Sequence, residues 1–89
     1  MREVLIGKKQ MTALEGYPLT CTYRLLIRSL PESTDCESYG VGIRIEETGE
    51  QENVFDITVS QKRIESLAEL LLEGGVTPCT LRNVIEDWL

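Results

Sequence analysis

Residues 60–89, SQKRIESLAELLLEGGVTPCTLRNVIEDWL, constrain the fold more than any other stretch. They read as two amphipathic helices joined by a Gly-Gly-Val hinge, and helices of that kind need a surface to cover. With Ser60 as N-cap, Gln61–Glu73 carries Ile64, Leu67, Ala68, Leu70, Leu71 and Leu72. At about 100° per residue these spread over an arc of roughly 200°, whereas a helix lying on one sheet needs little more than about 100°. The surplus predicts a contact besides the sheet, and Leu70 and Leu72 are its candidate interface residues. Gly74-Gly75 supplies the left-handed residue that ends this helix. Thr77 as N-cap and Pro78 at the first helical position start the next one. There Leu81, Val84, Ile85, Trp88 and Leu89 form one narrow stripe, opposite Arg82, Asn83, Glu86 and Asp87.

The surface to be covered is written upstream. Arg2–Lys8 is a short β-rich run with weak alternation, since Val4, Leu5 and Ile6 are consecutive, which fits an edge or near-edge strand. Lys8-Lys9-Gln10 can extend it, because lysines protect strand edges. Glu15-Gly16-Tyr17-Pro18 is turn chemistry. Thr20–Ser29 alternates cleanly, with Cys21, Tyr23, Leu25 and Ile27 on one face and Thr22, Arg24, Leu26 and Arg28 on the other. Pro31 stops it, and a polar loop runs over residues 32–37. Ser38–Thr48 alternates again, with Tyr39, Val41, Ile43 and Ile45 opposed by Gly40, Gly42, Arg44 and Glu46. After a tight connection at Thr48-Gly49-Glu50, Asn53–Val59 places Phe55, Ile57 and Val59 inward and Val54, Asp56 and Thr58 outward. One apolar and one polar face per strand is the pattern of an antiparallel sheet covered on one side.

The expected architecture is therefore α+β in a single domain, 1–89. A four-stranded, mostly antiparallel sheet over 1–59 carries two C-terminal helices, 60–89, packed on one face. Its balance of nine Lys+Arg against fifteen Asp+Glu, net −6, disfavours duplex nucleic acid and anionic membranes, which need concentrated positive charge. The charge is uneven: five basic residues face two acidic ones through Arg28, and four face thirteen beyond it. No apolar run approaches the roughly 18–20 residues of a membrane span. The N-terminus also lacks a signal-peptide pattern, so the expected compartment is the cytoplasm.

Catalytic chemistry has few footholds. The chain contains no histidine, the usual general base near neutral pH, and no GxSxG, P-loop or GxGxxG. Cys21, Cys36 and Cys79 are widely spaced, and without histidine they do not make a four-ligand zinc site, so free thiols in a reducing compartment are expected. Cys79 falls in the first turn of the last helix, where the dipole favours a thiolate, but nothing beside it completes a catalytic pair. Glu46, Glu47, Glu50 and Glu52 gather around a hairpin without the DxDxDG spacing of a calcium loop.

Two glycines at alternate positions of one strand, Gly40 and Gly42, indicate either a twisted or bulged strand or a flat window where a backbone or ligand approaches. If Glu46 and Asp56 leave them free, Arg24, Arg28 and Arg44 beside that window make a candidate anion or small-ligand site.

Tyr39-Gly40-Val41-Gly42-Ile43, Asp56-Ile57, Leu67-Ala68-Glu69-Leu70-Leu71 and the tail Val76-Thr77-Pro78, Leu81, Val84–Leu89 together resemble a family of small proteins of Gram-positive, spore-forming anaerobes. That family is known only as a domain of unknown function. The resemblance covers about half the chain, from Tyr39 onward, and implies no activity or site residue. The residues themselves favour a non-enzymatic interaction module that binds a protein partner or a second copy of itself. The alternative is an anion-binding sensor. Neither reading calls for a cofactor or a metal.

Overall fold

The computed structural model describes residues 1–30 and 36–89. The expected strand stop at Pro31 and the polar loop as far as Asp35 lie outside the described residues. Four strands, β1 (Arg2–Thr12), β2 (Pro18–Ser29), β3 (Glu37–Ile45) and β4 (Gln51–Thr58), form one sheet in the order β1-β2-β3-β4, each pair antiparallel. Then come α1 (Gln61–Gly74), a 3-10 turn (Pro78–Thr80) and α2 (Leu81–Trp88). The α+β architecture expected from the pattern is the one observed.

The alternation in β2 and β3 builds the core. Cys21, Tyr23 and Ile27 face the helices beside Tyr39, Val41, Ile43 and Ile45. From above, Ile64, Leu67 and Leu71 of α1 and Leu81 and Ile85 of α2 close onto them. Each such side chain removed from water is worth about 1.5–3 kcal/mol gross. Both helices therefore cover the same face of the sheet.

Local chemistry sets the ends of α1. Ser60 Oγ accepts a hydrogen bond from the Arg63 N–H at 3.3 Å, which is N-cap geometry. At the other end Gly75 adopts φ +60°, its N–H donates to Leu72 O, and the Val76 N–H donates to Leu71 O. Tyr23 reaches up from β2 and donates its hydroxyl to Val76 O at 2.8 Å, tying the hinge between the helices to the sheet. Lys9 Nζ donates to Glu73 O at 2.8 Å, a cation where the helix dipole favours one.

Several local expectations are corrected. β1 continues past Lys8 to Thr12, and Pro18 opens β2 instead of closing the turn before it. A register shift between Leu5 and Gly7 leaves Ile6 as a bulged residue. In β4 the inward set is different: Val54 and Ile57 pack on the core, whereas Phe55 and Val59 are exposed. The cause is a second irregularity, between Tyr39 and Val41, where Asp56 takes φ +54° and the alternation breaks. Leu26, expected on the solvent face, is on that face but only 2% exposed. The last helix begins with a 3-10 turn, and Leu89 stays outside the core.

Candidate functional site

Cross-strand register fixes which side chains share the helix-free face. Thr22 stands between Lys8 and Arg44, Arg24 between Leu5 and Gly42, and Leu26 between Glu3 and Gly40. Arg24, Arg28 and Arg44 thus do lie on one face, as alternation required, but two of them are engaged. Arg24 forms an ion pair with Glu3 and donates through Nη2 to Asn53 Oδ1 at 3.3 Å. Its Nε is buried and has no hydrogen-bond partner among the described residues. Arg28 pairs with Asp56 and lies 5.9 Å from the centre of the Phe55 ring. Arg44 is exposed.

The two glycines are occupied by the protein itself. A Cβ on Gly42 would stand 3.1 Å from Arg24 Nη2, so this position lets Arg24 cross to Asn53. A Cβ on Gly40 would stand 2.8 Å from Phe55 Cα, so the bulged backbone of β4 fills the space. The close approach of a backbone suggested by these glycines is that of the neighbouring strand. Glu46 does not reach Arg44; it accepts from Thr22 Oγ1 at 2.8 Å. Glu47 accepts from the Thr20 N–H at 2.7 Å and from Thr20 Oγ1 at 2.9 Å, and the backbone donor holds its carboxyl below the usual range. Glu52 pairs with Arg82 of α2 at 3.3 Å, and among the described residues no group of three His, Cys, Asp or Glu could hold a metal ion.

The helical layer shows a different chemistry. Leu72 is turned down, with its Cδ2 3.1 Å from where a Cβ on Gly7 would be, so this member of the candidate interface packs within the chain. Leu70 remains 47% exposed and lines a groove of about 270 Å³ with Val84, Asp87 and Trp88. At the end of α2 Leu89 is 71% exposed, and the Arg63 guanidinium lies 4.5 Å from the Trp88 ring.

The thiols divide by burial. Cys79, in the 3-10 turn, is exposed, with Sγ 3.3 Å from Thr77 Oγ1, and Cys36 is exposed too. Cys21 is buried 3.9 Å from Met11 Sδ, and burial pushes its thiol pKa up. Burial likewise lifts the Tyr23 phenol to about 12.

The edge position expected of the first strand is the one observed, and the edge is longer and more exposed than the sequence indicates. β1 is an edge strand eleven residues long, with Val4 41% and Leu5 58% exposed. Val4, Ile6, Leu25 and Ala68 line a hollow of about 220 Å³ between this edge and α1, together with Glu65 and Glu69. Its only signal was the unbroken Val4-Leu5-Ile6 run, which alternation cannot place on one face.

A family model of unknown function, DUF6514, matches residues 2–89. The chain belongs to this family. No curated protein and no solved structure matches it. The DUF6514 match spans both helices and all four strands, so the exposed edge and the helix groove both fall inside the family's domain. No helix among the described residues is long and apolar enough to cross a membrane.

Proposed function

We propose that this chain is a protein-interaction module that works as a homo-oligomer. The observation that carries the reading is apolar surface left uncovered in a chain of 89 residues: Val4 and Leu5 on the sheet edge, Leu70 and Leu89 on the helical layer. Scattered exposed leucines are ordinary, but here Val4, Leu5 and Leu70 line hollows together with further apolar side chains, which is how contact surfaces are built. Sedimentation equilibrium at micromolar concentration tests it. A species of at least twice 10.1 kDa is expected, and a 10.1 kDa species alone refutes it. Its compartment is the cytoplasm of a bacterium, on the resemblance to proteins of Gram-positive spore-formers and on three cysteines without disulfides, which suit a reducing medium.

A second reading, anion binding on the helix-free face, is favoured by Arg44. It is exposed and stands in register beside Thr22, with Lys8 one strand further on. Inorganic phosphate should then raise the melting temperature of the wild type but not of Arg44→Ser. Equal responses from both proteins dismiss it.

A further inference from the structure

The edge of β1 is the surface whose chemistry says most about its occupant. Among the described residues β1 pairs only with β2, so its far side offers unpaired backbone N–H and C=O groups along eleven residues. A strand this long and this apolar at its centre is a template for another strand unless something blunts it. The candidates for blunting are Lys8, Lys9 and the bulge at Ile6.

The bulge has a consequence for pairing. Before it, Glu3 and Leu5 share the helix-free face and Arg2 and Val4 the helix-covered one; after it, the helix-free face takes Lys8 and Gln10, and the covered face Gly7 and Lys9. Facing residues in an antiparallel pair must lie on the same side of the sheet. Two β1 strands related by a two-fold axis can therefore set residues before the bulge against residues after it. With the axis between Leu5 and Ile6, Glu3 meets Lys8 of the second copy, Val4 meets Gly7, and Lys8 meets Glu3, while Leu5 and the bulged Ile6, which lie on opposite faces, flank the axis without forming a facing pair. The remaining basic pair, Arg2 against Lys9, is relieved within each copy: Arg2 lies 3.5 Å from Glu37, and Lys9 is bonded to Glu73 O.

We propose that two copies of this chain pair antiparallel through β1 into a continuous eight-stranded sheet, with Glu3 opposite Lys8 twice across the axis and Val4, Leu5 and Ile6 at its centre. This places the interface of the homo-oligomer proposed above and rests on that reading. In it the edge lysine is a register lock, since Lys8 finds a carboxylate only when the partner strand is β1 in this alignment. Leu5, the most exposed of the three central residues, is covered by the neighbouring strand.

Sedimentation equilibrium of Lys8→Glu, Leu5→Lys, Leu70→Glu and the double variant Glu3→Gln/Lys8→Glu tests this. Urea midpoints check that each variant keeps its monomer fold. Lys8→Glu sets like charges opposite each other twice and should weaken the dimer about tenfold or more. Leu5→Lys should do the same by charging the centre of the edge. Glu3→Gln keeps an acceptor for Arg24 but removes the repelled carboxylate, so the double variant should recover part of the loss. Leu70→Glu should leave the dimer unchanged. An oligomer that ignores Lys8→Glu and Leu5→Lys but dissociates with Leu70→Glu overturns the β1 interface and keeps self-association. A wild type found only at 10.1 kDa removes both.

Discussion

Gly40 offers a sharp test of how the sheet is held together. A methyl group added there would meet Phe55 Cα at 2.8 Å, against the roughly 3.5–4.0 Å of an ordinary carbon contact. The obstacle is main chain, locked by the pairs Tyr39–Thr58 and Val41–Val54 on either side, so relief requires β4 to move away from β3. Overpacking of this kind costs about 1–3 kcal/mol. Gly40 does not have positive φ, so alanine also stiffens the unfolded chain, which returns about 0.4–1 kcal/mol. The net loss for Gly40→Ala should be about 1–2 kcal/mol, or a fall in melting temperature of about 4–16 °C for a domain this size. Gly42→Ala is the matched control. Its methyl meets only the ends of the Asn53 and Arg24 side chains, which can swing aside, so the loss is chiefly their 3.3 Å hydrogen bond, about 1 kcal/mol before the same entropic return. Urea unfolding of both variants, read as midpoint and slope, decides the matter. If Gly40→Ala lies within about 0.5 kcal/mol of wild type, or is milder than Gly42→Ala, β4 does not press on Gly40 and the account of the bulge is wrong.

Further outcomes follow from the buried groups. Leu67 has no exposed surface, and Leu67→Ala should lower the unfolding free energy by about 2–5 kcal/mol, measured by denaturant titration. Burial raises the folded pKa of Cys21 above its ordinary 9.0, and that of Tyr23 from 10.0 to about 12. The folded state holds protons that the unfolded chain releases, so the contribution of these two groups is full below pH 9 and falls as pH rises towards 12. Urea midpoints should show that decline, and Tyr23→Phe should flatten its upper part. At the acid end, the lowered Glu47 carboxyl contributes above its ordinary value of 4.5 and loses the contribution as pH falls; Glu47→Gln should shift the acid limb of the same titration. Iodoacetamide should modify Cys36 and Cys79 in the native protein and reach Cys21 only on unfolding, read as mass added before and after denaturant.

Elements whose cause is local were legible in the residue order. Alternation in β2 and β3 named Tyr23, Val41 and Ile43 as core, and all three are buried. Ser60 and Gly75 announced the two ends of α1 because a cap needs only a hydroxyl three residues before an N–H, or a residue free to take positive φ. The shared face of Arg24, Arg28 and Arg44 also followed from alternation within and across strands. Their engagement did not, because whether Arg24 turns to Glu3 or Arg28 to Asp56 depends on strand order, which a single strand does not encode. The facing of β4 was misplaced for a related reason: a break in alternation at Asp56 is decided by what the neighbouring strand leaves open at Gly40. Leu72 was read as spare apolar surface until β1 brought Gly7 beneath it.

The sequence by itself therefore determined the α+β class, the chain order of strands and helices, and the core residues of β2, β3 and the two helices apart from Leu26 and Leu89, since periodicity and capping act over a few neighbours. The tertiary structure alone decided which apolar side chains stay uncovered. Leu70 and Leu72 look alike in the sequence, yet one lines an open groove and the other fills the place of a missing side chain. Val4 and Leu5 sit on the edge strand that the sequence indicated, but how far each is exposed depends on the bulge at Ile6 and on where α1 lies beside β1.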